Sequence, residues 1–263
     1  MENWLGEVIA AIGSGSLVGF SLGLIGGGGS ILATPLLLYV VGIKDPHMAI
    51  GTGALAVSAN AYSGLIGHAR RGTVWWRCAL VFGLVGTIGV LAGSTLGKAV
   101  GGQTLLFLFA FVMLAVGVAM LRPRRETDGV ARTVDGRMCF LTGAVALASG
   151  FASGFFGIGG GFLIVPGLIL ATGMPTINAV GTSLFAVGTF GLVTALNYAL
   201  SGWVDWLVAA EFIAGGIGGG WLGTALATRL SVNKNALNRI FAGLIFLVAI
   251  YVLYRSASSL FGK

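Results

Sequence analysis

Long apolar segments separated by short polar breaks run through the whole chain. The breaks divide it into eight segments, and a long first segment followed by three shorter ones occurs twice. The segments are 5–43, 48–67, 78–97, 105–121, 138–172, 177–200, 207–228 and 237–254. Continuous apolar runs of this length predict membrane-crossing helices, because a half-buried strand would alternate apolar and polar residues. The pattern therefore predicts an all-α polytopic membrane protein.

The two halves of the chain are repeats of each other. Residues 19–35 (GFSLGLIGGGGSILATP) and 150–166 (GFASGFFGIGGGFLIVP) share 8 of 17 positions at an offset of 131. Residues 49–57 and 179–187 share 5 of 9 positions at an offset of 130. Repeated halves are the usual plan of secondary transporters, whose site lies where the halves meet. The predicted parts are a first bundle, a basic cytoplasmic linker and a second bundle: 1–121, 122–137 and 138–263.

The first segment of each half is too long for a single helix. About 34 residues of helix would span roughly 50 Å, against a hydrocarbon core of roughly 30 Å. The glycine clusters Gly26–Gly29 and Gly157–Gly161 lie inside these segments. We therefore expect each to break into a full helix and a half-helix, with unwound backbone at Gly27–Ser30 and Ile158–Gly161. Counting the half-helices, the eight segments become ten.

The composition excludes a surface that faces water. The chain is 56% hydrophobic and 9% charged, with a mean hydropathy of +0.97, whereas a soluble domain carries roughly 25% charged residues. More than half of the basic residues lie in two short loops, which is the pattern of cytoplasmic loops and not of a nucleic-acid-binding tract. These residues are Arg70, Arg71, Arg77, Arg122, Arg124, Arg125, Arg132 and Arg137.

The relative orientation of the halves is only weakly encoded by charge. Parallel and inverted halves both leave most basic residues inside. The inverted arrangement also places Arg229, Lys234 and Arg239 in the cytoplasm, and we favour it on that ground.

Several motifs resemble one known family. They are the twin glycine–proline stretches Gly26–Pro35 and Gly157–Pro166, the Gly-Thr pairs at Gly51 and Gly181, and the loop His68–Trp75. The chain resembles the TauE/SafE family of sulfite and sulfonate transporters over nearly its whole length. The resemblance implies an inner-membrane carrier that exports sulfite, sulfoacetate or a related small anion, coupled to an ion gradient.

The glycine clusters are candidate anion sites. A half-helix that begins inside the membrane leaves about four backbone N–H groups unpaired and carries a partial positive charge at that end. Glycines let an anion approach those groups closely. The alternative is that the glycines only permit close helix packing, which we expect for Gly215–Gly220. The candidate residues are Gly27, Gly28, Gly29, Ser30, Gly159, Gly160 and Gly161.

A few polar side chains within apolar segments are further candidates. Thr52, Thr182 and Ser183 could donate to an oxyanion, or could bond back to the preceding helical turn. Asn60 lies at membrane depth and faces either the cavity or a neighbouring helix. Its repeat partner is Phe190, so any role of Asn60 is asymmetric.

Glu211 is the one acidic residue well inside an apolar segment. Acidic residues at membrane depth usually mark ion pathways or proton relays, so Glu211 is the candidate for coupling to a proton or sodium ion. The alternative is a residue near the membrane interface, because Trp203, Asp205 and Trp206 are close in sequence. His47 and His68 lie at segment ends and are interpreted as solvated loop residues.

These patterns predict a secondary transporter for a small sulfur-containing anion in the cell inner membrane. Its partners would be that anion, the lipid bilayer and the coupling ion, and a homo-oligomer is left open. We expect no nucleic acid, because the basic residues form no long tract, and no metal, because Cys78 and Cys139 fit no metal or redox spacing. We expect no nucleotide cofactor, because the glycine clusters lack the Lys-Ser or Lys-Thr of a nucleotide-binding loop. The alternatives are a passive small-anion channel, a carrier for a non-sulfur carboxylate, an integral membrane enzyme and a non-catalytic scaffold.

Overall fold

The described part of the chain is helical throughout. The structure is a computed structural model that describes residues 2–25, 27–121, 136–157, 161–229 and 234–261. Within these ranges there is no β-strand. Leu84, Ile88 and Leu222 lie on the outside of the bundle and are each more than 60% exposed, as expected for a surface that faces lipid. The prediction of an all-α polytopic membrane protein is confirmed.

The described residues form ten α-helices. They are α1 (Glu2–Ile25), α2 (Ala33–Leu36), α3 (Pro46–Arg70), α4 (Trp76–Ala99), α5 (Gly102–Leu121), α6 (Gly136–Phe156), α7 (Gly161–Thr172), α8 (Thr176–Ala199), α9 (Trp206–Arg229) and α10 (Lys234–Phe261). A 3-10 helix, Gly27–Leu32, precedes α2, and a π-helical turn, Leu37–Val41, follows it. Four stretches are long and apolar enough to cross a membrane: Leu5–Leu24, Trp76–Ala99, Thr176–Ala199 and Ala242–Ser259.

The first segment of each half is broken, as its length predicts. In the first half, α1 ends at Ile25 and the Gly27–Leu32 helix packs back against it. In the second half, α6 ends at Phe156 and α7 begins at Gly161. The turn residue Gly157 has a φ of +68°, a conformation that favours glycine.

The first break differs in detail from the prediction. The expected unwound backbone at Gly27–Ser30 is a 3-10 helix, in which the tighter winding keeps the backbone groups bonded locally. The second predicted stretch lies mostly outside the described residues, which resume at Gly161.

The helices of the two halves interdigitate. The first long helix of each half packs on the third long helix of the other, so that α1 lies on α9 and α6 lies on α4. Glycines line both contacts at equivalent positions: Gly19 approaches Gly216, and Gly150 approaches Gly86. At the centre, α3 packs on α8, and at the edge, α5 packs on α10. Neither half buries its core without the other.

The halves are inverted relative to each other. Along α3, Ala54 approaches Gly191, Ser58 bonds to Gly188, and Gly64 approaches Leu184. The partner residue number falls as the residue number on α3 rises, so these equivalent helices run antiparallel. A two-fold relation between antiparallel helices requires an axis perpendicular to them, which lies in the membrane plane, as in inverted-repeat transporters.

The inverted arrangement gathers positive charge at one end of the bundle. We call this end, where α3, α5, α7 and α9 finish, the basic face, and the other end the opposite face. Of the ten basic residues that the structure describes, seven lie towards the basic face and three towards the opposite face. The seven are Arg70, Arg71, Arg77, Arg137, Arg229, Lys234 and Arg239, and the three are Lys44, Lys98 and Arg255.

The first broken segment returns to mid-depth in the bundle, and the second breaks nearer to the opposite face. Gly29 packs against Ser21 and Leu22 of α1, and this part of α1 lies beside the middle of α9, where Gly23 approaches Gly220. In the second half, Phe155 lies against Gly97 near the end of α4, and Gly157 lies against Ile50 near the start of α3. The Gly27–Leu32 helix also contacts α7, so the two broken segments touch inside the bundle.

Candidate functional site

A narrow cleft lies between α1, α3 and α9, with Leu184 of α8 at its side. Its polar lining consists of Asn60, Ser63, His68 and Thr224, and glycines of α1 and α9 form much of the rest. We call it the Asn60 cleft. Its cavity volume is about 20 Å³, which is room for about one water molecule. The cleft is therefore constricted in this conformation.

Glycines create the space that Asn60 occupies. A Cβ atom at Gly216 of α9 would overlap the Asn60 amide group, so only glycine at this position lets the side chain lie where it does. Asn60 is the fifteenth residue of the 25-residue helix α3, which places its amide near mid-depth.

The Asn60 amide is buried and unpaired. The side chain is 5% exposed, and neither Nδ2 nor Oδ1 has a hydrogen-bond partner among the described residues. An unpaired buried amide costs roughly 1–3 kcal/mol, so such groups in a native structure call for an explanation. Because the amide lines the cleft, a polar ligand or a water molecule bound there would satisfy its hydrogen bonds.

His68 lines the same cleft, eight residues or about 12 Å nearer to the basic face. It is 6% exposed, and its Nδ1 lies 2.9 Å from the Thr73 hydroxyl. The Thr73 hydroxyl in turn donates to the His68 carbonyl oxygen at 3.1 Å. The interpretation of His68 as a solvated loop residue is wrong, because the turn after α3 folds back over its ring.

The other half contains an equivalent region that is filled. At the repeat positions of Asn60, Gly64, His68 and Leu22 it has Phe190, Thr194, Tyr198 and Ser153. We call these four residues the counterpart region. Phe190 is fully buried and stacks on Phe82 with a centroid distance of 6.2 Å.

Comparison with known proteins gives the family. The family model described as "Sulfite exporter TauE/SafE" matches residues 11–252, which is most of the chain. The chain belongs to the TauE/SafE family. A "Probable membrane transporter protein" of Xylella fastidiosa (strain 9a5c) is 62% identical and covers 97% of this chain and 98% of its own length.

More distant members share the same general name. The "Probable membrane transporter protein YunE" of Bacillus subtilis (strain 168) is 27% identical, over 86% of this chain and 87% of its own length. A protein of Methanocaldococcus jannaschii, MJ0441, is 28% identical over 69% and 70%. No solved structure matches the chain. The family and these names identify a multi-pass membrane transporter.

In this TauE/SafE chain the predicted glycine sites are only partly described. A Cβ atom at Gly29 would come within 2.6 Å of the Leu22 amide nitrogen, so this glycine serves close packing within the broken segment. Ser30 is fully buried in the same 3-10 helix. Gly27 and Gly28 begin that helix, and Gly161 is the buried first residue of α7. Gly159 and Gly160 lie outside the described residues. Of the glycines predicted to pack, Gly215, Gly216, Gly219 and Gly220 line the contact of α9 with α1, whereas a Cβ atom at Gly218 would meet nothing within 4 Å.

The three predicted hydroxyls are engaged elsewhere. The Thr52 hydroxyl accepts a hydrogen bond from the Asp205 backbone at 2.9 Å, and the Thr182 hydroxyl accepts one from the Trp75 backbone at 3.0 Å. The Ser183 hydroxyl bonds back to the Val180 carbonyl at 2.8 Å. Thr52 and Thr182 therefore each hold a loop of the other half, and none of the three lines the Asn60 cleft.

Glu211 stands apart from the cleft. It lies in the second turn of α9, towards the opposite face, and is half-buried. The residues that the prediction overlooked in the cleft are His68, Ser63 and Thr224. Spacing offered a signal for His68 and Ser63, since positions 60, 63, 64 and 68 share one face of a helix.

Proposed function

We propose that this chain is a secondary carrier that moves a small sulfur oxyanion or sulfonate across the inner membrane. The observation that carries the proposal is the unpaired Asn60 amide, buried at mid-depth beside a helix break. Such an amide can donate a hydrogen bond to an oxyanion, and secondary transporters bind their cargo at this depth. The family description supports sulfite or a related anion as the cargo.

The broken helices would complete the anion site. Backbone N–H groups around Gly27–Ser30 and Gly159–Gly161 remain candidates, because a helix N-terminus inside the membrane favours negative charge. At mid-depth the site would then contain neutral donors only, from Asn60 and the backbone, without a lysine or arginine. Neutral donors suit a carrier that must release its cargo as well as bind it.

Alternating access would follow from the inverted halves. Inverted repeats can exchange conformations, so that a cleft open to one side closes while its equivalent opens to the other. The concentration of basic residues supports a cytoplasmic basic face. The Asn60 cleft leads towards that face through His68, so we assign this structure to a narrow, cytoplasm-directed state.

Glu211 is the proposed coupling residue. A half-buried carboxylate in an apolar helix can carry a proton through the membrane region. The Glu211→Gln variant should lose most of the response of transport to a pH gradient, because its amide cannot titrate. Transport in proteoliposomes with and without an imposed gradient measures this. If the variant keeps the full response to the gradient, Glu211 does not couple.

A flux assay tests the main proposal. Purified protein in proteoliposomes would be loaded with sulfite, sulfoacetate, taurine, thiosulfate or a simple carboxylate, and external labelled anion would be added. We expect counterflow, in which the label accumulates transiently above its external concentration, for at least one sulfur anion. Exchange restricted to carboxylates would contradict the cargo, and flux without counterflow would indicate a passive channel.

A further inference from the structure

The Thr73 hydroxyl lies within hydrogen-bond distance of two groups of His68, its carbonyl oxygen and its ring nitrogen Nδ1. A hydroxyl has one hydrogen, and Thr73 donates it to the His68 carbonyl oxygen at 3.1 Å. In this arrangement the 2.9 Å contact between Nδ1 and the same hydroxyl is a hydrogen bond only when Nδ1 carries the proton. In neutral His68 the other ring nitrogen, Nε2, is then a bare acceptor. A ring that lines the Asn60 cleft can add a proton at that nitrogen.

We propose that His68 is a proton-linked anion ligand at the entrance of the Asn60 cleft. The inference rests on the proposed function, since it assigns the pH regulation of the same site. A proton on Nε2 turns an acceptor into a charged donor, which attracts an anion. The anion in turn favours the proton, because linkage between two bound species is reciprocal. Anion and proton therefore enter the cleft together.

The charges around His68 favour this linkage. Burial is the larger effect that opposes a proton on His68, and the positive charge of Arg71, in the turn that follows α3, adds to it within the described residues. A second positive charge beside Arg71 is unfavourable until an anion arrives. The helices that line the cleft contribute neutral groups: Leu22 and Gly23 from α1, Leu184 from α8, and Trp221 and Thr224 from α9. Gly181 of α8 lies beside the His68 Nδ1 atom. No carboxylate of the described residues lines the cleft to hold the proton in place of the anion.

The repeat partner of His68 cannot provide this linkage. Tyr198 occupies the equivalent position, and a phenol stays neutral near pH 7. The proton-linked position therefore belongs to one half only, at the end of the cleft that leads to the basic face. The chain contains one other histidine, His47, which stacks on Trp203 at 4.7 Å near the opposite face. His47 supplies a matched control.

The test is the pH dependence of anion binding to purified protein in detergent. Sulfoacetate is the probe, because its two acidic groups stay ionised throughout the range in which histidine titrates. We expect its Kd to rise about tenfold as the pH rises through the range in which His68 loses its proton, roughly the effect of one positive charge near a partly solvated anion. His68→Gln should give a flat profile, and His47→Gln should keep the wild-type profile. Thr73→Val should keep a pH response but with a shifted midpoint, because the Nδ1 proton loses its acceptor.

A direct proton measurement covers the case in which His68→Gln does not fold. Mixing wild-type protein with sulfoacetate in weak buffer at about pH 7 should take up protons, which an indicator dye detects. Wild-type binding without proton uptake, or a His68→Gln profile equal to that of the wild type, would overturn the inference and leave the carrier proposal standing. A His68-dependent pH response for carboxylates alone would support the inference and contradict the sulfur cargo. Absence of any anion binding would contradict both.

Discussion

At equivalent positions on α3 and α8, one half of the molecule has Asn60 and His68 and the other has Phe190 and Tyr198. The surrounding helices pack in the same way in both halves, down to the approach of Gly219 to Ser16 and of Gly89 to Leu147. The first half leaves a narrow cleft among these helices. In the second half Phe190 fills the space against Phe82 and Gly86.

The counterpart region contains buried polar groups that would be unfavourable in a core that never contacts water. The hydroxyls of Ser153, Thr194 and Tyr198 are buried and have no hydrogen-bond partner among the described residues. Buried polar groups in native proteins are nearly always paired, and exceptions call for a reason. A region that becomes hydrated in another conformation provides one. We therefore interpret the two regions as the two ends of one transport pathway. The Asn60 cleft would be the end that is narrowly open in this conformation, and the counterpart region would be the end that is closed.

The largest expected effect comes from exchanging the residue that distinguishes the halves. Asn60→Phe copies Phe190 into the first half, fills the cleft and removes the unpaired amide. Transport of any cargo should fall to the background of empty liposomes, because the ring would occupy the cleft, whose cavity volume is only about 20 Å³, and no amide would remain to bind an anion. Phe190→Leu is the control and should keep measurable transport, since its position is already apolar. Wild-type flux through Asn60→Phe would show that the cleft is not the pathway.

A smaller effect should follow from removing the hydrogen bonds that close the counterpart region at the opposite face. Lys98 closes this end: its Nζ donates to the Asn197 side-chain oxygen at 2.8 Å, and to the Asn197 carbonyl and the Ser201 hydroxyl at 3.0 Å each. The Asn197 amide continues the network by donating to Ser94 at 2.6 Å. Hydrogen bonds to a charged group contribute roughly 1.5–3 kcal/mol. Lys98→Met should shift the balance towards the state open at this face by about tenfold or more.

Thiol labelling measures that shift. Thr194→Cys, with the native Cys78 and Cys139 replaced by serine, places a thiol in the counterpart region. A membrane-impermeant maleimide should label it slowly in the otherwise native protein and several-fold faster when Lys98→Met is added. Arg255→Met is the control, because Arg255 also lies towards the opposite face but bonds within its own helix to Tyr251. Equal labelling rates in all three proteins would mean that Lys98 does not hold the region shut.

One added methyl group should disrupt the close contact between α1 and α9, which has an equivalent between α6 and α4. Gly219→Ala would place a Cβ against the Ser16 carbonyl oxygen, between α9 and α1. Overpacking of this kind costs roughly 1–3 kcal/mol, so the thermal unfolding temperature in detergent should fall by several degrees. Gly218→Ala is a matched control one residue away, where an added Cβ meets nothing within 4 Å. Equal unfolding temperatures would contradict the observed contact between α1 and α9.

The sequence was sufficient for the helical architecture and for the breaks. Periodic apolar segments and glycine clusters are local signals, and the helix ends at Ile25 and Phe156 lie where those clusters begin. The exchange of helices between halves has no local signal, because it depends on which glycine faces which partner. The pairing of α1 with α9 was therefore accessible only from the structure.

The candidate site was predictable in part. Asn60 is visible in the sequence because an amide within an apolar segment is rare and its repeat partner is Phe190. Thr52 and Thr182 gave a misleading signal, since a residue that recurs in both halves can serve the shared scaffold as readily as the cargo. His68 was missed because the sequence placed it at a segment end, where the fold of the following turn over its ring is not encoded locally.

The smallest predicted effect is a difference between substitutions of Thr52 and Thr182, whose hydroxyls each accept a hydrogen bond from a loop of the other half. Thr182→Val removes the acceptor of the Trp75 N–H, and Thr52→Val removes that of the Asp205 N–H. Each change should lower stability by roughly 1 kcal/mol, which paired thermal unfolding curves can resolve. Asp205 also caps α9 through its carboxylate, which accepts from Leu207 and Val208 at 3.1 Å, whereas Trp75 has no side-chain cap.

The loop before α4 should therefore loosen more than the loop before α9. This loop contains Thr73, which fixes the His68 ring, so Thr182→Val should also change the pH dependence of anion binding. Thr52→Val should leave that dependence as in the wild type, because its loop lies near the opposite face. If both variants gave the same pH profile, the loop at the basic face would have no special connection to the anion site, and the asymmetry between the halves would reside in Asn60 alone.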